Sequence, residues 1–161
     1  MNQELANLAA RLGEVLTARN WMLATAESCT GGWVAEAVTA TAGSSGWFER
    51  GFITYSNESK VELLGVSPVT LARHGAVSEE TALEMAAGAL AHSHAEIAVA
   101  VTGIAGPGGG SSDKPVGTLC LAWSQRHGDT IVVTHHFPGD REAVRRQSVV
   151  AAIERLIALA A

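Results

Sequence analysis

The sequence predicts an α/β protein, a three-layer α/β/α sandwich around a mixed, mostly parallel sheet of about five strands. Three observations predict it. Apolar runs of strand length alternate with stretches of helical periodicity over the first two thirds of the chain. The run Ile97 to Val101 is continuously apolar, as in a central strand covered on both faces. Later, Gly117–Ser124 and Thr130–Phe137 flank Arg126-His127-Gly128-Asp129, a hairpin signature that adds antiparallel strands.

The elements follow in order. Glu4 to Arg19 place Leu5, Leu8, Leu12, Val15 and Leu16 at helical spacing. Trp21 to Ala26 is a buried strand that stops at Glu27-Ser28-Cys29, and after Gly31-Gly32 the segment from Trp33 takes up a helical pattern to about Ala42, with Gly43 as stop. Gly51 to Tyr55 is a second strand. A short helix after Lys60 ends near Leu64-Gly65, and Pro68 opens another that closes at Gly75. Ser78 is an N-cap, with Glu79 and Glu80 favourable in the first turn of a helix to about His92. A glycine-rich loop spans Gly103 to Pro115, and the last helix runs from about Asp140 to Leu159 with Val144, Val149, Ile153, Leu156 and Ile157 on its buried side. With no internal repeat or linker, the 161 residues are expected to form one domain over 1–161.

Bulk properties narrow the function classes. The chain is 47% hydrophobic, enough for a proper core. A formal charge of −5 argues against nonspecific attraction to nucleic acid or to an anionic membrane. Cys29 and Cys120 form neither a C-x-x-C motif nor a zinc spacing, which suits a reducing cytosol. The N-terminus lacks the pattern of a signal peptide, and no apolar stretch approaches the roughly 20 residues of a membrane helix. A cytoplasmic protein without membrane contact is expected.

The turn Glu27-Ser28-Cys29-Thr30-Gly31-Gly32 is the most informative segment. It puts a hydroxyl and a thiol on a tight strand-to-helix connection, where backbone N–H groups can receive an anion or a developing oxyanion. Its bland alternative is an ordinary connection with Ser28 or Thr30 as N-cap. A second polar cluster, Tyr55-Ser56-Asn57-Glu58-Ser59-Lys60, follows the second strand. Ser28, Tyr55 and Lys60 are the residue types of a serine–lysine hydrolase: a desolvated amine takes the serine proton and a phenol relays it. The alternative is a capping serine, a half-buried tyrosine and a surface lysine. Cys29 is a rival nucleophile, with His74, His92 or His94 as base; its bland reading is a small buried residue.

The glycine loop, which begins Thr102-Gly103-Ile104-Ala105-Gly106-Pro107, follows the buried central strand, where ligands bind in α/β proteins. It is not a Walker A loop, because Gly109-Gly110 stand where Lys and Ser/Thr belong, nor a dinucleotide fingerprint, because no helix follows. Arg141 and Arg145, one turn apart at the start of the last helix, form a candidate phosphate clamp, or else a solvated face offset by Asp140 and Glu142. His135 and His136 on one strand point to opposite faces, so no metal site is expected.

These motifs, taken together and in order, resemble the CinA C-terminal domain family. The resemblance rests on Ala26-Glu27-Ser28-Cys29-Thr30-Gly31-Gly32, Gly43-Ser44-Ser45, Tyr55-Ser56-Asn57 with Lys60, and Gly75-Ala76-Val77-Ser78. It continues through Thr102 to Pro107, Lys114-Pro115-Val116-Gly117-Thr118, and Gly139-Asp140-Arg141 with Arg145, covering nearly the whole chain. Stand-alone members of the family are nicotinamide-nucleotide amidases. The resemblance therefore implies hydrolysis of the carboxamide of nicotinamide mononucleotide to nicotinate mononucleotide and ammonia, a pyridine-nucleotide salvage step, without metal or organic cofactor. It implies Ser28 as nucleophile, Lys60 as base and Tyr55 as proton relay. Cys29, Thr30, Gly31, Ser44, Ser45, Thr102 and Gly103 would shape the substrate pocket, while Arg141 and Arg145 would hold the phosphate. A homo-oligomer is expected. Larger relatives carry an N-terminal pyrophosphatase domain, and its metal-dependent activity is not expected of these 161 residues. The alternative from a different class is a non-catalytic nucleotide-binding regulatory module.

Overall fold

The computed structural model describes residues 2–161. Its elements are α1 (Gln3–Arg19), β1 (Leu23–Glu27), α2 (Trp33–Thr39), a 3₁₀ turn (Ser44–Gly46), β2 (Phe48–Ile53), α3 (Asn57–Leu64), α4 (Pro68–His74), α5 (Glu79–Ala91), β3 (Ile97–Gly103), β4 (Thr118–Gln125), β5 (Thr130–His136) and α6 (Arg141–Ala160).

One five-stranded sheet has the order β2-β1-β3-β4-β5. β1 pairs parallel with β2 and β3, whereas β3–β4 and β4–β5 are antiparallel. Only β4 runs against the other four strands, so the expected mixed sheet is mostly parallel in strand direction. From β1 the chain steps to one side to make β2, then back across β1 to make β3. The preference for right-handed crossovers puts the connecting helices of two such opposite steps on opposite faces. Accordingly α2 joins α1 and α6 on one face, and α3 and α5 cover the other.

The two faces are packed differently. Under α1, α2 and α6 lie Leu23, Ile97, Val99, Val101, Leu121 and Trp123. The α5 face is mostly alanine: Ala24, Ala26, Ala98, Ala100 and Ala122 come from the strands, and Ala82, Ala86 and Ala89 from the helix. Register aligns Ala26, Ala100 and Ala122 in one row across three neighbouring strands. Small side chains on both surfaces bring α5 close to the sheet.

Two of the boundaries that differ from the sequence expectation bear on the site. β2 starts at Phe48, three residues earlier, because on this edge strand Glu49 and Arg50 pair with each other at 2.8 Å and bind His94 N and His92 O. α3 starts at Asn57, not after Lys60, because the Ser56 side chain accepts from Ser59 N and caps it there. Lys60 thereby moves from a loop end to the interior of a helix.

Candidate active site

The site grows from the C-terminal end of β1. Ser28 N donates to Val101 O at 2.9 Å, so the serine continues the sheet ladder for one residue before the chain turns. The turn closes through Gly31 N to Ser28 O at 3.0 Å, and Gly31 and Gly32 take positive φ of 61° and 108°. Those values favour glycine and let α2 begin immediately afterwards.

α3 delivers the lysine. Lys60 is completely buried, and its Nζ lies 3.0 Å from Ser28 Oγ. The same nitrogen donates to Thr54 O at 2.7 Å and to Tyr55 O at 3.3 Å. Two carbonyls thus use two N–H bonds, and the third direction of the nitrogen faces the serine. Burial away from water lowers the Lys60 pKa, which favours the neutral amine. A neutral amine holding two carbonyls has its lone pair left for a serine proton. The surface-lysine alternative does not describe this residue.

Cys29 is a poor nucleophile by the same physics. It is buried, and desolvation pushes its thiol up to about 12 despite the nearby Arg145 cation. No histidine attends it. His74 pairs with Glu80 at 3.3 Å, the His92 ring binds Gly88 O, and His94 sits with His92 past the end of α5.

The two arginines have separate tasks. Arg145 Nε and Nη2 bind Cys29 O and Thr30 O, each at 3.1 Å, and its guanidinium lies over the Trp33 ring. Arg141 Nη1 binds Gly106 O at 2.8 Å and its Nη2 binds the Tyr55 hydroxyl at 3.1 Å. Tyr55 is 60% exposed, so its ring stands at the mouth of the site with its hydroxyl on Arg141, not on Ser28 or Lys60. A cleft of about 450 Å³ opens beside Arg141, between Ala105 and Pro107 of the glycine loop, Val116 just after it, and the start of α6.

Thr102 follows Val101, whose carbonyl holds Ser28, and is buried with its hydroxyl on Ala76 O at 2.8 Å. At Gly103 a side chain would meet the Thr118 carbonyl at 2.8 Å, so glycine lets β3 pass close to β4. Ser44 and Ser45 are placed elsewhere. Their 3₁₀ turn precedes β2, which runs parallel to β1 with Phe48 beside Leu23, at the end of the sheet opposite to Ser28. Within this chain they do not join the other site residues.

One site residue escaped the sequence reading. Glu27, only 1% exposed, turns its carboxylate under the start of α2. Oε1 accepts from Thr30 Oγ1 at 2.6 Å, Gly32 N at 3.2 Å and Val34 N at 2.9 Å, and Oε2 accepts from Ala35 N at 3.0 Å. Neither Ser28 nor Thr30 caps the helix; the capping group comes from the strand. A legible signal existed: an acid ends a buried apolar strand just before a helix whose N-cap, Gly32, has no side chain.

Among the described residues no helix is long and apolar enough to cross a membrane, and no group of three or more His, Cys, Asp or Glu could hold a metal ion. Residues 5–160 match the model of the CinA C-terminal domain. The nicotinamide-nucleotide amidohydrolase PncC of Escherichia coli strain K12 is 53% identical over 155 residues, covering 96% of this chain and 94% of that protein. The protein of the same name from Pseudomonas putida is 53% identical over 156 residues, covering 96% of each. The crystal structure of the competence/damage inducible protein CihA from Agrobacterium tumefaciens superposes with a TM-score of 0.97 at 48% identity, covering 99% of this chain and 97% of that one. A fold built around a strand-end serine and a buried lysine, and a match running almost end to end, lead to one assignment: the chain belongs to the CinA C-terminal domain family.

Proposed function

We propose that this protein is a nicotinamide-nucleotide amidase that hydrolyses the carboxamide of nicotinamide mononucleotide through a serine nucleophile and a lysine base. The observation that carries the reading is the buried Lys60 Nζ at 3.0 Å from Ser28 Oγ. Relatives 53% identical over nearly full length that are named nicotinamide-nucleotide amidohydrolases support the substrate.

In this mechanism the Ser28 hydroxyl proton passes to neutral Lys60 as Oγ attacks the carboxamide carbon. The carbonyl oxygen becomes an oxyanion facing the amides of Cys29 and Thr30. The C–N bond then breaks, the Lys60 ammonium returns its proton to the departing nitrogen, and ammonia leaves. Water attacks the resulting ester, Lys60 takes that proton and gives it back to Ser28 Oγ, and the carboxylate product is released. Thr102 and Gly103 wall the pocket. Arg141 at the mouth, with the uncommitted Nη1 of Arg145, holds the phosphate. A relay through Tyr55 requires its hydroxyl to leave Arg141, so Tyr55 serves first at the mouth. A cytosolic setting and assembly with further copies of the chain complete the proposal; both cysteines are free thiols.

The test is ammonia release from nicotinamide mononucleotide in the presence of EDTA. Wild type and Cys29→Ala are expected to release ammonia, whereas Ser28→Ala falls by at least 10³-fold, of the order seen when a nucleophile is removed, while remaining folded. Near-normal release by Ser28→Ala would remove the nucleophile assignment. Tight nucleotide binding without ammonia from the wild type would instead support a non-catalytic binding module.

A further inference from the structure

The amides of residues 28–35 can be accounted for one by one. Ser28 N binds Val101 O, Gly31 N binds Ser28 O, and Trp33 N binds Thr30 O. Gly32, Val34 and Ala35 donate to the Glu27 carboxylate. Only Cys29 N and Thr30 N donate to no protein oxygen among the described residues.

The turn is gripped from two sides. Glu27 holds the Thr30 hydroxyl and the start of α2 together, and Arg145 holds the carbonyls of Cys29 and Thr30. In a trans peptide the C=O and the following N–H point in opposite directions. Binding the Cys29 carbonyl therefore turns the Thr30 N–H away from Arg145. Binding the Ser28 carbonyl to Gly31 N fixes the Cys29 N–H in the same way.

We propose that Glu27 is a positioning residue, which occupies the amides of α2 and locks the Ser28 turn so that the Cys29 and Thr30 amides alone receive the oxyanion. The inference rests on the serine-hydrolase reading above and deepens it. Two effects of the carboxylate compete. Its negative charge disfavours a nearby oxyanion, while its four hydrogen bonds hold the donors in place. Those four donors disperse the charge over the α2 amides and the Thr30 hydroxyl, so geometry is the larger effect.

Glu27→Gln separates the two effects. The carboxamide keeps the volume but turns an NH₂ toward amide donors, so at least one of the four bonds is lost. Positioning predicts that kcat for nicotinamide mononucleotide falls tenfold or more with KM nearly unchanged. It also predicts that Ser28 phosphonylation by a fluorophosphonate, followed by mass spectrometry, slows by a similar factor. The phosphonyl oxygen needs the same two amides, so this second measurement is independent of the amide substrate. A faster kcat in Glu27→Gln, or labelling as fast as in wild type, would overturn the proposal.

If Glu27→Gln does not fold, Thr30→Val decides. It removes only the 2.6 Å hydroxyl bond, is expected to slow labelling several-fold, and overturns the proposal if labelling is unchanged. Wild type that labels at Ser28 but releases no ammonia would remove the substrate and leave the positioning role standing. Wild type that does not label at Ser28 would overturn the positioning role itself.

Discussion

In the proposed mechanism Lys60 concentrates the chemistry in one nitrogen, and its titration has two consequences of definite sign. Burial lowers its pKa, so the working neutral amine accumulates at lower pH than in an ordinary lysine, and kcat rises with pH through that lowered value. For stability, the unfolded chain binds a proton that the folded protein does not hold between the lowered value and the ordinary lysine value. Unfolding free energy therefore rises with pH across that window, and the destabilisation is full below it. Lys60→Met is expected to reduce kcat by about 10²–10⁴-fold, the usual contribution of a positioned base. Urea melts at several pH values should lose, relative to wild type, the component that rises with pH. Equal pH slopes for the two proteins would contradict a lowered lysine pKa. Ser28 and Lys60 were legible in the sequence as residue types, but their environment was not. Lys60 sits amid Glu58, Ser59 and Glu62, a context that reads as solvent-facing; only the cap at Ser56 rotates it inward. The signal at Glu27 is easily missed for the opposite reason: an acid at the end of an apolar strand reads as the point where burial stops, and here it is buried.

At the scale of elements, α3 is held in place by a close approach to α5. A side chain at Gly88 would collide with the Leu64 carbonyl at the end of α3. Gly88→Ala is expected to cost about 1–3 kcal/mol, as overpacking does, although alanine is the better intrinsic helix former. Because α3 also carries Lys60, the same substitution should reduce kcat. Thermal melts and turnover on one preparation check both, and an unchanged melt with normal turnover would mean that α3 is not seated on this contact. On the other face, Trp123 is fully buried, and its indole N–H donates to Ala152 O of α6 at 3.1 Å. Trp123→Ala should therefore destabilise by about 3–5 kcal/mol, read as a lower denaturation midpoint. The helices were legible because caps and apolar spacing are local. The early start of β2 was not, since Glu49-Arg50 reads as loop until its edge position is known.

Across the whole molecule the two faces of the sheet answer differently to added volume. The row Ala26, Ala100 and Ala122 is fully buried under α5, against the alanines of that helix. Ala100→Leu should destabilise by about 1–3 kcal/mol by lifting α5 from the sheet, measured by denaturant titration; a stable variant would show that the alanine layer has slack. The layered α/β/α plan itself was readable from the alternation of elements. The alanine thinness of one layer was visible in composition but not assignable to a face before strand register was known.

The proposed nucleophile and its proposed base belong to different parts of this laminate. Ser28 hangs from the sheet and is steadied by α6 through Arg145, whereas Lys60 rides on α3, which rests on α5. Their 3.0 Å separation is thus a gauge of interlayer spacing. Modest swelling of the thin layer is therefore expected to uncouple the pair while β-structure and the larger core persist. If the pair works as proposed, turnover is expected to fall at lower denaturant than the circular-dichroism signal of the secondary structure, and coincident losses would show that the two layers part together.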